Sequence, residues 1–262
     1  MVEIHPTATV DPRAELGDGV VVGPHAAVEA GAQIGDRCVL EYGAIVRRWT
    51  TIGSGNRLLP GAVLGGDPQH LAYRGAETHL RVGRDNIFGE YVTIHRASEP
   101  DLLTQIGDEN YFMAYAHVGH DCRVGNSVVL TNHAGLAGHC EVEDFALIGG
   151  YAGAHQGVRV GTMAMLGGGA LAGQDVIPYL IVQGAPARPR GLNVIGMQRR
   201  GVSEEARNAL QQLYRILFLQ RLSLPNALEK IRRDVADLPE VRHVLTFIAA
   251  SKRGIARRKS GE

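Results

Sequence analysis

Apolar residues recur at every sixth position through the first two thirds of this chain. From Ile4 the step gives Val10, Leu16, Val22, Val28, Ile34, Leu40, Val46, Ile52, Leu58 and Leu64. It resumes in the same frame at Val82, Phe88 and Ile94, and again from Ile106 through Phe112, Val118, Val124, Leu130, Leu136, Val142, Ile148, Ala154, Val160, Leu166 and Ala172. A period of six drifts around a 3.6-residue turn and leaves no continuous apolar stripe, which excludes an α-helix. A flat sheet does not suit it either. Short strands joined by tight corners into a solenoid do, because each hexad then forms one side of a coil and neighbouring coils stack their apolar residues into one core. Three hexads complete a coil, so residues eighteen apart lie above one another.

The positions between the repeats agree with this reading. Four places after the apolar residue comes a small one, as at Ala8, Ala26, Ala32, Cys38, Ala44, Ala62, Ala116 and Ala134. Directly after it glycine is frequent, as in Leu16-Gly17, Ile34-Gly35, Ile52-Gly53, Val124-Gly125 and Val160-Gly161, which suits a corner where crowding or a positive φ excludes a Cβ. With 34 glycines and only 5% aromatics, the core must be thin and aliphatic. His70, Ala76 and Pro100 break the frame, which predicts loops thrown out of the solenoid at about 67–80 and 97–105.

Beyond Pro178 the period changes to a helical one in Leu210, Leu213 and Leu217, then Leu228, Ile231 and Val235, then Val241, Val244, Leu245 and Ile248. Pro225 and Pro239 stand where they could open helices. The expected organisation is a β-helix over 1–190, with Gln183 to Arg190 as linker, and a helical domain over 191–262 that caps it. Lysine plus arginine equals aspartate plus glutamate at 27 each, so no global field points to nucleic acid, and the basic tail of Lys252, Arg253, Arg257, Arg258 and Lys259 reads as solvated. Three cysteines, with repeats beginning almost at Met1, fit a cytoplasmic protein. No run reaches the roughly 18 apolar residues of a membrane span.

More specific stretches lie on the grid. They are Val92-Thr93-Ile94-His95-Arg96, Ala116-His117-Val118-Gly119-His120-Asp121-Cys122, Leu136-Ala137-Gly138-His139, Asp144 to Gly150, His155-Gln156 and Arg199-Arg200-Gly201. Through them the chain resembles the UDP-N-acetylglucosamine acyltransferases of lipid A synthesis almost end to end. The resemblance implies a left-handed, mainly β, parallel β-helix, a homotrimer and a site between subunits. It also implies transfer of a 3-hydroxyacyl chain from acyl carrier protein to the 3-position of a UDP-sugar, with no cofactor and no metal. Carried over residue by residue, it makes His120 the base, Asp121 its orienting partner and the Gly138 N–H the oxyanion donor. Gln69, His95, His117, His139, His155 and Gln156 then line the substrate groove, Asn193, Arg199 and Arg200 meet the nucleotide, and Met165 and Gly168 end the acyl groove. The chain departs from the pattern at His70, Ala72 and Ile195, where the resemblance implies acid, lysine and acid.

The histidines support that chemistry independently. Acyl transfer to a hydroxyl needs a base and a donor for the tetrahedral oxyanion, and imidazole is the side chain suited to the first task. On an eighteen-residue coil His120, His139 and His155 fall within about one register step of the same corner. Cys122 and Cys140, stacked eighteen apart, occupy small inward positions and read as packed free thiols. Arg47 and Arg48 beside Trp49 read as a solvated face. Rival functions are N-acylation of a 3-amino or other nucleotide sugar, a zinc enzyme like the γ-carbonic anhydrases, and a non-catalytic solenoid.

Overall fold

The computed structural model describes residues 1–257, so Arg258 and Lys259 of the basic tail lie outside the described residues. Each hexad becomes one short strand and one corner. Strands pair in parallel with the strand eighteen residues on, Glu3 with Val21 and Val129 with Leu147. They gather into three sheets of eleven, nine and eight strands, the three faces of a left-handed prism. The first face starts at Glu3–Ile4, the second at Thr9–Val10 and the third at Glu15–Leu16. Across the first loop Val63 pairs with Thr93, thirty residues on instead of eighteen, and across the second Thr93 pairs with His117, twenty-four on. The insertions are therefore two hexads and one hexad, which is why the frame survives both.

The residue of each strand that belongs to the six-residue series points inward. Val22, Leu40, Leu58, Phe88, Phe112, Leu130, Ile148 and Leu166 stack on the first face at 1% exposure or less, and each such burial stabilises the fold by about 1.5–3 kcal/mol. Crowding, not backbone sign, explains the glycine that follows. A Cβ on Gly53 would meet the Gly83 carbonyl oxygen at 2.6 Å, and one on Gly35 the Gly53 carbonyl carbon at 2.8 Å. Positive φ falls two residues later and is mostly taken by bulky or polar residues, among them Arg37, Trp49, Tyr115, Asp121, His139 and Phe145. Inside the third edge, where the third face turns into the first, a buried asparagine ladder runs along the axis: Asn86 donates to Asn56 and Asn110 to Asn86, each from both backbone and side chain.

The expected linker at Gln183 to Arg190 is instead part of the sheet. Leu180–Gln183 pairs in parallel with Met165 and Leu166, then in antiparallel with Arg188–Leu192, so a hairpin closes the first face. Apolar Leu180, Ile181 and Val182 supply the strand, and Gly184 at φ 91° makes the reversal; the three apolar residues lie off the six-residue frame, which hid the strand. Among the described residues four helices follow, α1 (Val194–Arg199), α2 (Glu204–Tyr214), α3 (Leu224–Asp234) and α4 (Pro239–Ala249), with a π turn at Arg215–Leu219. Ser203 and Ser223 cap α2 and α3 by accepting from Ala206 and Asn226 N–H groups. The helical part sits on the prism through the Arg159 guanidinium, 4.1 Å from the Phe247 ring centre, and through His243 of α4, 2.9 Å from Glu143. None of the described helices is long and apolar enough to cross a membrane.

Two surface readings change. Arg47 is held by Glu29 at 2.6 Å and Arg48 lies over Trp49 at 4.5 Å, both half-buried, so this is a packed cluster and not a solvated face. Of the basic tail, Lys252 is exposed, whereas Arg253 donates to the Gly173 carbonyl and Arg257 to that of Leu222, which ties those two side chains down. Cys38, Cys122 and Cys140 are free and buried.

Candidate active site

The second edge, between the second and third faces, gathers chemistry. Its corners begin at Gly119, Ala137 and His155 on successive coils, and both inserted loops leave the prism from this edge. Asp121 takes a left-handed φ of 61°, which turns its carboxylate back onto the ring of its predecessor. His120 Nδ1 donates to Asp121 Oδ2 at 2.5 Å, so the neutral imidazole keeps the lone pair on Nε2. His120 is 6% exposed and Asp121 9%. Burial raises the Asp121 carboxyl, but hydrogen bonds from His120 and from Ser98 outweigh it and hold the group below its ordinary value. Those Ser98 bonds come from the N–H at 2.9 Å and the hydroxyl at 2.7 Å. Thr104 fixes the corner by accepting the Asp121 N–H at 2.7 Å.

One coil further on, Gly138 lies under the His120 ring. A Cβ there would meet His120 Cε1 at 2.6 Å, so only glycine admits the imidazole. Gly138 is buried, and among the described residues no acceptor takes its N–H. An unpaired buried N–H beside a base is an available oxyanion donor. His139 approaches Asp121 Oδ2 with Nε2 at 3.4 Å, and its ring stands edge-on to His120 at 5.2 Å. His120, Asp121 and His139 form a group that could hold a metal ion. Asp121 Oδ2, however, already receives protons from His120 and Ser98, an arrangement that serves a base.

On the adjoining second face His95 and His117 stand edge-on at 5.2 Å. Burial, then the neighbouring imidazoles of His95 and His120, pushes His117 down to about 4, so it is neutral at physiological pH. Its Nδ1 shares a 2.8 Å hydrogen bond with the Thr93 hydroxyl. Burial also lowers His95, whose Nδ1 donates to the Asp67 carbonyl at 2.5 Å. Gln69 is exposed on the first loop, and His155 and Gln156 are exposed one coil beyond His139. Of the three departing positions, His70 meets His120: its ring packs edge-on against it at 5.4 Å. Sequence reasoning missed the roles of His70, Ser98 and Thr104.

The remaining expected site residues stand elsewhere on the same chain. Asn193 caps α1 by accepting the Gly196 N–H at 3.0 Å, and its amide reaches the Met163 carbonyl at 2.9 Å. Arg200 lies over the Phe145 ring at 4.3 Å, with Arg199 exposed beside it. Phe145 and Met163 are corners of the third edge, one face away from His120, or roughly 20 Å at about 3.3 Å per residue. Met165 faces outward from the first face, and Gly168 lies at the first edge.

Comparison with known proteins gives a consistent picture. A family profile described as Udp N-acetylglucosamine O-acyltransferase, domain 2, matches residues 175–256. The chain is similar to the acyl-[acyl-carrier-protein]--UDP-N-acetylglucosamine O-acyltransferase of Thermodesulfovibrio yellowstonii, 45% identical with 98% of this chain and 100% of the relative covered. The enzyme of that name from Paraburkholderia xenovorans is 46% identical at the same coverage. Among solved structures, the Francisella novicida UDP-N-acetylglucosamine acyltransferase superposes with a TM-score of 0.94 at 32% identity, over 99% of this chain and 95% of that one.

Proposed function

The chain belongs to the UDP-N-acetylglucosamine O-acyltransferase family, and from that premise we propose how its residues move a 3-hydroxyacyl chain from acyl carrier protein to the 3-hydroxyl of UDP-N-acetylglucosamine, the first step of lipid A synthesis. His120 Nε2 takes the hydroxyl proton as the sugar oxygen attacks the thioester carbonyl. The oxyanion of the tetrahedral intermediate accepts from the Gly138 N–H. Collapse breaks the carbon–sulfur bond, and the imidazolium returns the proton to the departing carrier thiolate. Asp121 stabilises the transient imidazolium and fixes its orientation. Gln69, His95, His117, His139, His155 and Gln156 line the acceptor and donor path, with His117 offering a neutral imidazole. The observation that carries this reading is the buried His120–Asp121 pair packed on a glycine whose N–H is free.

Asn193, Arg199 and Arg200 serve the nucleotide from a neighbouring subunit of a homotrimer. Outward residues of the first face are largely apolar, including Val39, Tyr111, Val129, Leu147 and Met165, as are Ala27, Ile45, Val63 and Leu171 of the second. The third face presents Glu15, Gln33, Arg81, Gln105, Arg123 and Glu141. An apolar surface of this extent favours burial against another chain. Laying the first face of one subunit on the second face of the next points the first edge at the three-fold axis. It leaves the polar face in water and brings each third edge to its neighbour's second edge, which closes the 20 Å gap. The same packing encloses Met165 and Gly168 opposite the neighbour's second face as the end of an acyl groove. The three free cysteines suit a cytoplasmic enzyme.

Replacing His120 by Ala tests the base. With 3-hydroxyacyl carrier protein and UDP-N-acetylglucosamine supplied and product read by mass spectrometry, turnover falls by about 10³-fold or more while the protein stays folded. Turnover near that of the unaltered enzyme rejects the assignment.

A further inference from the structure

Beneath the first loop lies a charge that the chemistry above does not use. Arg96 is fully buried, the largest such side chain among the described residues. Its Nη1 donates to the Gly65 carbonyl, and its Nη2 to Asp67 Oδ1 at 2.5 Å and to the Tyr73 hydroxyl at 3.3 Å. Its guanidinium stands 5.1 Å from the centre of the Trp49 ring. The preceding residue, His95, holds the carbonyl of the same Asp67. The two side-chain contacts flank Gln69 and His70 in sequence, one before and one after, and His70 is the loop residue that meets the catalytic imidazole. The rest of the loop is braced internally, with the Tyr73 hydroxyl donating to the Ala76 carbonyl and Arg74 to that of Leu71.

The pair joins a fully buried guanidinium to a carboxylate that stays half exposed, so solvent screening leaves it little net stability. What such a pair does supply is one geometry. We propose that Arg96 is the positioning residue of the acceptor side of the site: by gripping Asp67 and Tyr73 it sets where Gln69 and His70 stand over His120. Its directional donors do what an apolar residue of equal bulk does not, since a loop released by even an ångström loses much of the advantage of preorganised contacts. His70 replaces the acid that the family resemblance implies, so this loop offers the acceptor an imidazole and an amide, held from below by one guanidinium.

This inference rests on His120 being the base, so the His120→Ala variant is run beside the test. Arg96→Met and Arg96→Lys are purified as full chains, and KM is measured separately for UDP-N-acetylglucosamine and for 3-hydroxyacyl carrier protein. Arg96→Met raises the acceptor KM by about ten-fold or more, leaves the donor KM within about two-fold, and keeps the thermal midpoint. Arg96→Lys recovers part of the acceptor affinity. Asp67→Asn raises the acceptor KM alone and adds little on top of Arg96→Met, because the two residues act through each other. Should Arg96→Met fail to fold, the Lys and Asn variants carry the same readout. An unchanged acceptor KM in the folded variants, or donor and acceptor KM rising together, overturns the proposal. A dead His120→Ala beside unmoved Arg96 variants rejects this inference alone, whereas an active His120→Ala rejects the base.

Discussion

At the scale of single residues, the site depends on a carboxylate that is held ionised. Asp121 receives hydrogen bonds from His120 and twice from Ser98, so the role proposed for it, steadying the imidazolium, needs no rearrangement during the reaction. Asp121→Asn keeps the shape but presents an amide where the proton on Nδ1 must be accepted, which favours the wrong tautomer. The expected outcome is a kcat lower by about 10³-fold with an acceptor KM little altered, measured by steady-state kinetics. A raised acceptor KM with kcat unaltered would instead mark Asp121 as a binding residue. That His120, Asp121 and Gly138 meet at one corner was readable beforehand because they lie on the repeat, whose period assigns each residue to a corner and a coil, while the roles proposed for them came from the family resemblance. Ser98, His70 and the grip of Arg96 were not. Ser98 and His70 come from inserted loops, where no period relates a residue to a place, and Arg96 acts on such a loop.

Among elements, the repeat also explains what was misjudged. Inward positions were visible along the repeat, since the frame residue of nearly every strand up to Ala172 is buried or half-buried. Past Pro178 the frame stops, and Leu180–Gln183 continues the first face without it, so the hairpin looked like a linker. The helical part was legible from its 3.6-residue spacing, but the contacts that seat it were not, because they join residues about a hundred apart in the sequence. One of these is sensitive to pH. His243 of α4 lies against Glu143, with the Tyr179 ring 6.4 Å away and Arg159 packed alongside. The hydrogen bond to Glu143 raises His243 above its ordinary 6.5, against the opposing effects of burial and Arg159. A group raised on folding lends stability fully below its unfolded pKa and loses it as pH climbs through the folded value. Hydrogen exchange of the α4 amides should therefore be slow near pH 6, after correction for intrinsic rates, and quicken as pH passes above about 6.5. In His243→Gln the step disappears. A profile identical to the unaltered protein's would mean that the ion pair does not seat the helix.

For the whole molecule, three faces of unlike chemistry decide assembly. Leu147 points outward from the first face and is half-buried even in a single chain. Leu147→Glu places a carboxylate where the proposed trimer excludes water, at a cost of several kcal/mol for each unpaired charge. Sedimentation should report dissociation, and turnover should disappear with the trimer, because His120 of one chain and Arg200 of the next then no longer share a groove. A trimer that persists at full activity would refute the packing of first face on second. The connectivity of the coils has a mechanical consequence as well. Within the three sheets each coil pairs only with the coil before and the coil after it, and at the amino-terminal end the strand Glu3–Ile4 has a partner on one side only. At the other end the antiparallel hairpin and the helices close the stack. Tension applied at Met1 therefore meets the weakest seam first and peels the prism like thread from a spool, one eighteen-residue winding at a time. Each winding pays out roughly 60 Å of chain, and the lengthened windings that carry the two loops pay out more as they give way.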